Sequence, residues 1–412
     1  MSEKLLYSKV CIAESINFVI DEASHEVTDM KENDKFSCNL ATILTRDREV
    51  VAVRLKISSD SCKVFLSKNS DWLEKDVVYI NKIENYLKNI SKYAPVRSID
   101  AKALTNEILA YCSVKLEYRF EKLKKDIIGG WRKNHDYIVS FMNFASINVD
   151  NIDEVDRHKI CGFCCNYYKK TKDDTEIPQK FLRHLKKVGS YISSVAGIIA
   201  CARNKNYKPL FSKIELHRMD PIVIMDQPIF SWENIIKRFI NDEEYDCFMN
   251  KCSKNTFAMG IIKKIYTDKT TQKLQLDRND IKQHIYLHAE MNILTSIINH
   301  EEKNRVFIAV SKKCCYLCEL YINFARNQGY NIIISGIHKK IYHGWKLPHV
   351  ADTNFRTKSL EYIMENLDRI IENKIKRYTS SLLVTSDSSA ESVDSKNQNE
   401  LEEVLEYVGY QE

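Results

Sequence analysis

The sequence reads as an α/β protein. Its C-terminal part, residues 208–378, is expected to be a three-layer sandwich on a mixed sheet, preceded by a mainly helical region and a small α+β unit. Three observations predict this. Residues 305–310 (RVFIAV) are a short apolar run rich in β-branched side chains, the composition of a strand buried on both faces. On either side of it, Met291, Ile293, Leu294, Ile297 and Ile298, then Leu320, Tyr321, Phe324 and Ala325, recur at helical spacing. Upstream, from Ser98 to about residue 205, apolar residues fall three and four apart, with Gly129-Gly130 and Pro178 as breaks.

Taken in order, residues 1–37 predict a short amphipathic helix and a polar stretch. ATILTRDREVVAVRLKI (41–57) and KVFLS (63–67) read as strands joined by the turn-like SSDS. A helix opens at Asp71-Trp72, buries Trp72, Val77, Ile80, Ile83 and Leu87 as a stripe, and is closed by Pro95. These elements make up the α+β unit, residues 1–95, and the helical region follows over 96–207. Within that region His158, Cys161, Cys164 and Cys165 invite a metal-site reading. Residues 158, 161 and 165 form an ordinary i, i+3, i+7 face, and no complementary ligand pair follows, so cysteines packed in a core are expected. Residues 208–228 hold three of the six prolines and read as an irregular connector, with a helix from 231 to about 241 behind it.

Composition sets the setting. With 412 residues, 44% of them apolar and 29% charged, there is room for two or three globular domains. Thirteen cysteines, no signal peptide and no apolar run near the length of a membrane span predict an intracellular location, cytoplasmic or nuclear, with free or metal-bound thiols. After Tyr378, eight acidic residues against one lysine give −7, so the remainder must carry +13 to reach the overall +6. Such a basic body suits a polyanionic partner.

The chemistry concentrates between His284 and Pro348. His288-Ala289-Glu290 stands at a strand-to-helix junction, and Cys314-Cys315-Tyr316-Leu317-Cys318 opens the next helix. Residues two apart on a helix point about 200° away from each other, so His288 and Glu290 can share a site only if His288 precedes the helix proper. Cys315 and Cys318 share a face of a first turn, where the helix dipole favours the thiolate that binds metal. Three protein ligands, His288, Cys315 and Cys318, leave the fourth position of a tetrahedral zinc for water, the pattern of a catalytic site. Cys314 could stand in for Cys315, but the two-residue gap suits the helix turn better.

At these residues the sequence resembles the cytidine-deaminase superfamily, whose H-x-E and P-C-x-x-C signature pairs a His/Cys/Cys zinc with a Glu that is not a ligand. More narrowly, SKKCCYLCE with GIHKKIYHGWKLP resembles a nucleic acid/nucleotide deaminase family of fungal proteins and intracellular bacteria, over roughly 250–350. Cys314 stands where the superfamily usually has Pro. The resemblance implies a deaminase-like sandwich, zinc as cofactor, and hydrolytic deamination of cytosine or adenine in a nucleotide or nucleic acid, with Glu290 as the catalytic proton carrier. SKNTFAMGII (253–262) is similar to the start of the first strand of nucleoside deaminases, which makes Asn255 and Phe257 substrate-binding candidates. Residues 330–335 and 341–345 read as strands joined too closely for a parallel crossover, hence an antiparallel C-terminal hairpin. On it His338, His343 and Trp345 are expected to wall the pocket, Trp345 by stacking on a base. A final helix spans 355–378; residues 379–398 read as disordered, and Leu401, Val404, Leu405 and Val408 as a short acidic helix. The competing reading is a catalytically inactive deaminase-fold zinc module for protein or nucleic-acid binding, with the helical N-terminal region as the protein-binding surface.

Overall fold

The computed structural model describes residues 2–16, 30–58, 61–92, 98–204, 211, 213–268 and 271–380. A mixed sheet of five strands lies at its centre: β1 (Val51–Ile57), β2 (Cys62–Lys68), β3 (Ile214–Arg218), β6 (Val306–Val310) and β7 (Ile332–Ile334), in the order β3-β2-β1-β6-β7. β4 (Val223–Ile229) and β5 (Ile281–Tyr286) form a separate antiparallel pair. In the main sheet β1 and β2 are an antiparallel hairpin in register from Val51↔Lys68 to Ile57↔Cys62. β1 pairs antiparallel with β6 through Ala52↔Val310 and Val53↔Ala309, whereas β2–β3 and β6–β7 are parallel.

Strand alternation sorts the side chains into two cores, one on each face. Ala52, Val306 and Ile308 enter the first; Val51, Val53, Phe307 and Ala309 enter the second. The first core is shared with α1 (Glu3–Ser15), α12 (Ala289–Asn299), α13 (Tyr316–Asn327) and α14 (Thr353–Ser380), and with the short run α9 (Trp232–Ile236), α10 (Asp242–Ser253) and α11 (Thr256–Tyr266). The second is shared with α2 (Glu32–Ile43), α3 (Glu74–Lys92), α4 (Ser98–Tyr111), α5 (Ser113–Arg132), α6 (Asp136–Ala145), α7 (Arg157–Thr171) and α8 (Gln179–Arg203). The helical region is therefore a layer of the sandwich. Because β6 is apolar on both faces, leaving either uncovered would expose side chains each worth roughly 1.5–3 kcal/mol when buried.

The α/β sandwich and its mixed sheet agree with the sequence reading, but several elements differ. Residues expected in a separate N-terminal unit and in an irregular connector supply β1, β2 and β3, so the sheet crosses the expected divisions near 95 and 208. A seven-residue hairpin ladder offers β6 an antiparallel neighbour, while β5 leads into α12 but finds its ladder with β4. Residues 41–43 end α2, where Ala41 and Ile43 are buried along with Phe36 and Leu40. Residues 256–262, expected to begin a strand, are the first turns of α11.

The antiparallel hairpin of the sheet is β1–β2, and residues 341–345 are not a strand. The chain after β7 pairs in two places instead: Ile337 bridges Cys314 and Trp345 bridges Tyr286, both in parallel. Cys314 N–H donates to Gly336 O (2.9 Å) and His338 N–H to Cys314 O (2.8 Å). Tyr286 N–H donates to Gly344 O (2.8 Å) and Lys346 N–H to Tyr286 O (3.0 Å). These junctions pair both backbone groups of Cys314 and both of Tyr286, each of which lies next to or near a ligand-bearing turn. Of the expected acidic tail, residues 379 and 380 continue the last helix, which runs Thr353–Ser380, and the rest lies outside the described residues.

The cysteines of α7 are core residues. Cys161, Cys164 and Cys165 are buried while His158 is exposed, and burial pushes the Cys161 thiol up to about 12. Gly189 of α8 explains the tight crossing: a Cβ there would lie 2.5 Å from Cys165 N and 2.7 Å from its Cα. Gly189→Ala should lower stability by ~1–3 kcal/mol, the cost of overpacking, as a lower urea midpoint at unchanged slope. Gly162→Ala, where a Cβ meets nothing within 4 Å, should leave the midpoint unchanged or raise it slightly.

Candidate metal centre

β5 delivers His284 and Tyr286 at strand spacing and ends two residues before His288. His288 is the N-cap of α12, extended at φ −61° and ψ 146°, and its carbonyl accepts from Met291 N–H (2.9 Å) and Asn292 N–H (3.0 Å). That extended residue turns the imidazole to the side on which Glu290, in the first helical turn, presents its carboxylate. The Asn292 amide fixes the helix by donating to Ser67 Oγ of β2 (3.2 Å) and to Asp220 O (2.9 Å). Opposite, Cys315 is the N-cap of α13, and its Sγ accepts from Cys318 N–H (3.5 Å). The positive end of a helix dipole thus lies at each ligand-bearing turn.

His288 Nδ1 lies 3.5 Å from Cys315 Sγ and 3.3 Å from Cys318 Sγ, and the two sulfurs are 3.4 Å apart. A tetrahedral zinc with bonds of ~2.3 Å to sulfur and ~2.0 Å to nitrogen spaces such atoms roughly 3.5–3.8 Å apart, within a few tenths of an ångström of this triad. Among the described residues it is the one group of three or more His, Cys, Asp or Glu side chains whose atoms converge closely enough to hold a metal ion. Glu290 Oε1 is 3.9 Å from His288 Nδ1, too far to be part of the triad but beside it. Glu290 Oε2 and His288 Nε2 are buried without a hydrogen-bond partner among the described residues, a cost structures rarely bear without a functional reason.

Electrostatics separates the three adjacent thiols. Burial alone would raise Cys315, but the Cys318 thiol and the His288 imidazole bring it down to about 6. Burial raises Cys318 well above its ordinary value, and the neighbouring Cys315 thiolate adds to that. Cys314, wholly buried, is pushed well up by burial and by the Glu290 carboxylate, and it is not among the converging ligands. His288 is raised: burial disfavours its cation, but the Cys315 thiolate and Glu290 outweigh that.

Residues 287–349 match the model of the OTT_1508_deam-like deaminase family. This segment is cytidine-deaminase-like. It contains His288, Glu290, Cys315 and Cys318. No curated protein and no solved structure matches the chain.

The deaminase segment also holds three of the expected pocket residues, which the structure places differently. His338 is closest to the triad: its N–H is on Cys314 O, its Nδ1 accepts from Lys340 N–H (3.1 Å), and its ring meets Tyr342 edge-on at 5.7 Å. Burial, then the charges of Lys340 and His288, hold it down to about 4, so it is neutral. His343 turns away to α1, where Glu14 Oε2 accepts from its backbone N–H and contacts Nδ1 (2.6 Å). Trp345 is wholly buried in the first core and offers no face to a base. Outside the segment, Asn255 caps α11, its side chain accepting from Ala258 N–H (3.0 Å), and Phe257 packs against the first core.

Sequence reading missed two aromatic neighbours of the ligand. Tyr286 stacks on the His288 ring (centroids 5.3 Å apart, 25° between planes), and Tyr342 lies 6.4 Å away. For Tyr286 the signal existed: residues 284 and 286 fall on one side of β5, and 288 continues the same two-residue spacing just beyond its end. Replacing His288, Cys315 or Cys318 by Ala should strip most of the zinc from protein purified with the metal, measured by elemental analysis. Cys314→Ala should retain roughly one zinc per chain, since the three-ligand set is intact.

Proposed function

We propose that the chain is a zinc-dependent hydrolytic deaminase of a nucleobase, cytosine or adenine, carried by a nucleotide or nucleic acid. The observation that supports it most is the buried Glu290 carboxylate, with one oxygen unpartnered, 3.9 Å from the imidazole of a His/Cys/Cys triad. A structural zinc site has no use for such a group.

Zinc held by His288, Cys315 and Cys318 supplies, when bound, the Lewis acidity that makes water a nucleophile near neutral pH. The chain's own residues carry the rest. Glu290 takes a proton from the attacking water and hands it to the ring nitrogen of the base; it then takes the second proton from the hydroxyl added to the ring carbon and passes it to the amino group, so that the C–N bond breaks, a carbonyl forms and ammonia leaves. Its burial keeps bulk water from competing for that proton. His338, neutral and beside the triad, can hydrogen-bond a base without adding charge. Tyr286 and Tyr342 flank the imidazole and limit where a flat ring can approach.

The test is ammonia release from a panel of nucleosides, nucleotides and short RNA and DNA strands, with wild-type protein and Glu290→Gln. Glu290→Gln should keep its zinc and fold while the rate on the accepted substrate falls on the order of 10²-fold or more. Equal activity of the two proteins, or zinc-loaded protein inert on the whole panel, would favour a deaminase-fold module in which zinc braces a binding surface.

A further inference from the structure

The helical layer carries a cavity that the zinc chemistry does not use. The last turns of α5 and the first turns of α6 and α8 surround about 230 Å³, and none of the lining residues belongs to the metal triad. Lys125, Lys133 and Lys180 line it. Its one carboxylate, Asp126, is already engaged by His184 Nδ1 (2.5 Å) and approached by Lys180 Nζ (3.8 Å). Lys125 and Lys133 form no ion pair among the described residues. Both bordering helices begin here without a side-chain cap, at His135 and Pro178, which leaves first-turn N–H groups for an anion. The Tyr137 and Phe181 rings, 5.2 Å apart, supply an aromatic wall.

Gly129 gives a handle on the cavity. It lies inside α5, where glycine costs about 1 kcal/mol against alanine. Its backbone has no positive φ, and a Cβ there would meet nothing within 4 Å. Its neighbour Gly130 is different: a Cβ on it would come 2.5 Å from Ile138 Cγ1, so the α5–α6 packing requires that glycine. Nothing in the fold requires Gly129. Gly129 is exposed and lines the cavity, so a larger side chain there has room to extend over its mouth.

We propose that this cavity binds the phosphate of a nucleotide unit, with the phosphate between Lys125, Lys133 and the two helix N-termini and the nucleoside against Tyr137. The inference stands on the cavity's own residues and not on the zinc chemistry. Full-length Glu290→Gln protein, in which turnover is slowed on the order of 10²-fold or more, is titrated with inorganic phosphate, 5′-nucleotides and fluorescent single-stranded oligonucleotides at several salt concentrations. Nucleotide phosphate should bind better than inorganic phosphate and weaken as salt rises. Saturation by free nucleotides identifies a small-molecule site, whereas binding of oligonucleotides alone identifies a strand.

In the same background Gly129→Leu should lower affinity at least tenfold while melting temperature stays level or rises and zinc content is unchanged. Lys125→Glu with Lys133→Glu should match that loss and flatten the salt dependence. Unchanged affinity in the glycine and lysine variants, or neither nucleotides nor oligonucleotides bound better than inorganic phosphate, would overturn the assignment. Active-site failure is read separately, in ammonia release by proteins with Glu290 intact.

Discussion

The metal centre depends on one strip of backbone, residues 336–346. At its start it exchanges hydrogen bonds with Cys314, beside the first thiol ligand; near its end it does the same with Tyr286, two residues before the imidazole ligand. Residues distant in sequence are thereby fixed against each other by main-chain geometry, and the ligand atoms lie 3.3–3.5 Å apart. The strip is itself held from outside the deaminase segment by α1. Glu14 binds His343, and the Tyr7 hydroxyl accepts from Leu347 N–H (3.3 Å). A local motif of two short signatures therefore draws on the N-terminal helix for its rigidity.

How much of this was legible follows from how local each signal is. The ligand set could be read because His, Cys and Glu at fixed offsets act within single turns, and the demand that His288 sit outside its helix is a statement about one residue's dihedrals. The partners of β6 could not be read. Val53 and Ala309 are far apart along the chain, and no residue between them encodes that pairing. β-branched composition announces a buried strand but says nothing of its neighbour. Asn255 shows how two signals can compete: an Asn just before a helix caps it by default, as its side-chain oxygen does here, whereas likeness to a strand suggested a ligand-binding role. Trp345 was placed on a hairpin that does not form, so its exposure was misjudged with it.

Two cores on one sheet give the molecule two chemically distinct layers. One layer holds the His/Cys/Cys triad among buried side chains. The helical layer ends in an open basic cavity framed by helix starts. The thin sheet between them carries Ala52 and Val53 to opposite sides at adjacent positions, so the layers are covalently one residue apart.

The placement of β1 beside β6 also bears on how the chain is made. A ribosome releases β1, β2 and the whole helical layer long before residues 306–310 appear. Until then the free edge of β1 is a row of unpaired N–H and C=O groups, an invitation to any other strand in the cell. Nascent protein must therefore keep that edge shielded, by its own helices or by a chaperone, through the synthesis of roughly half its length.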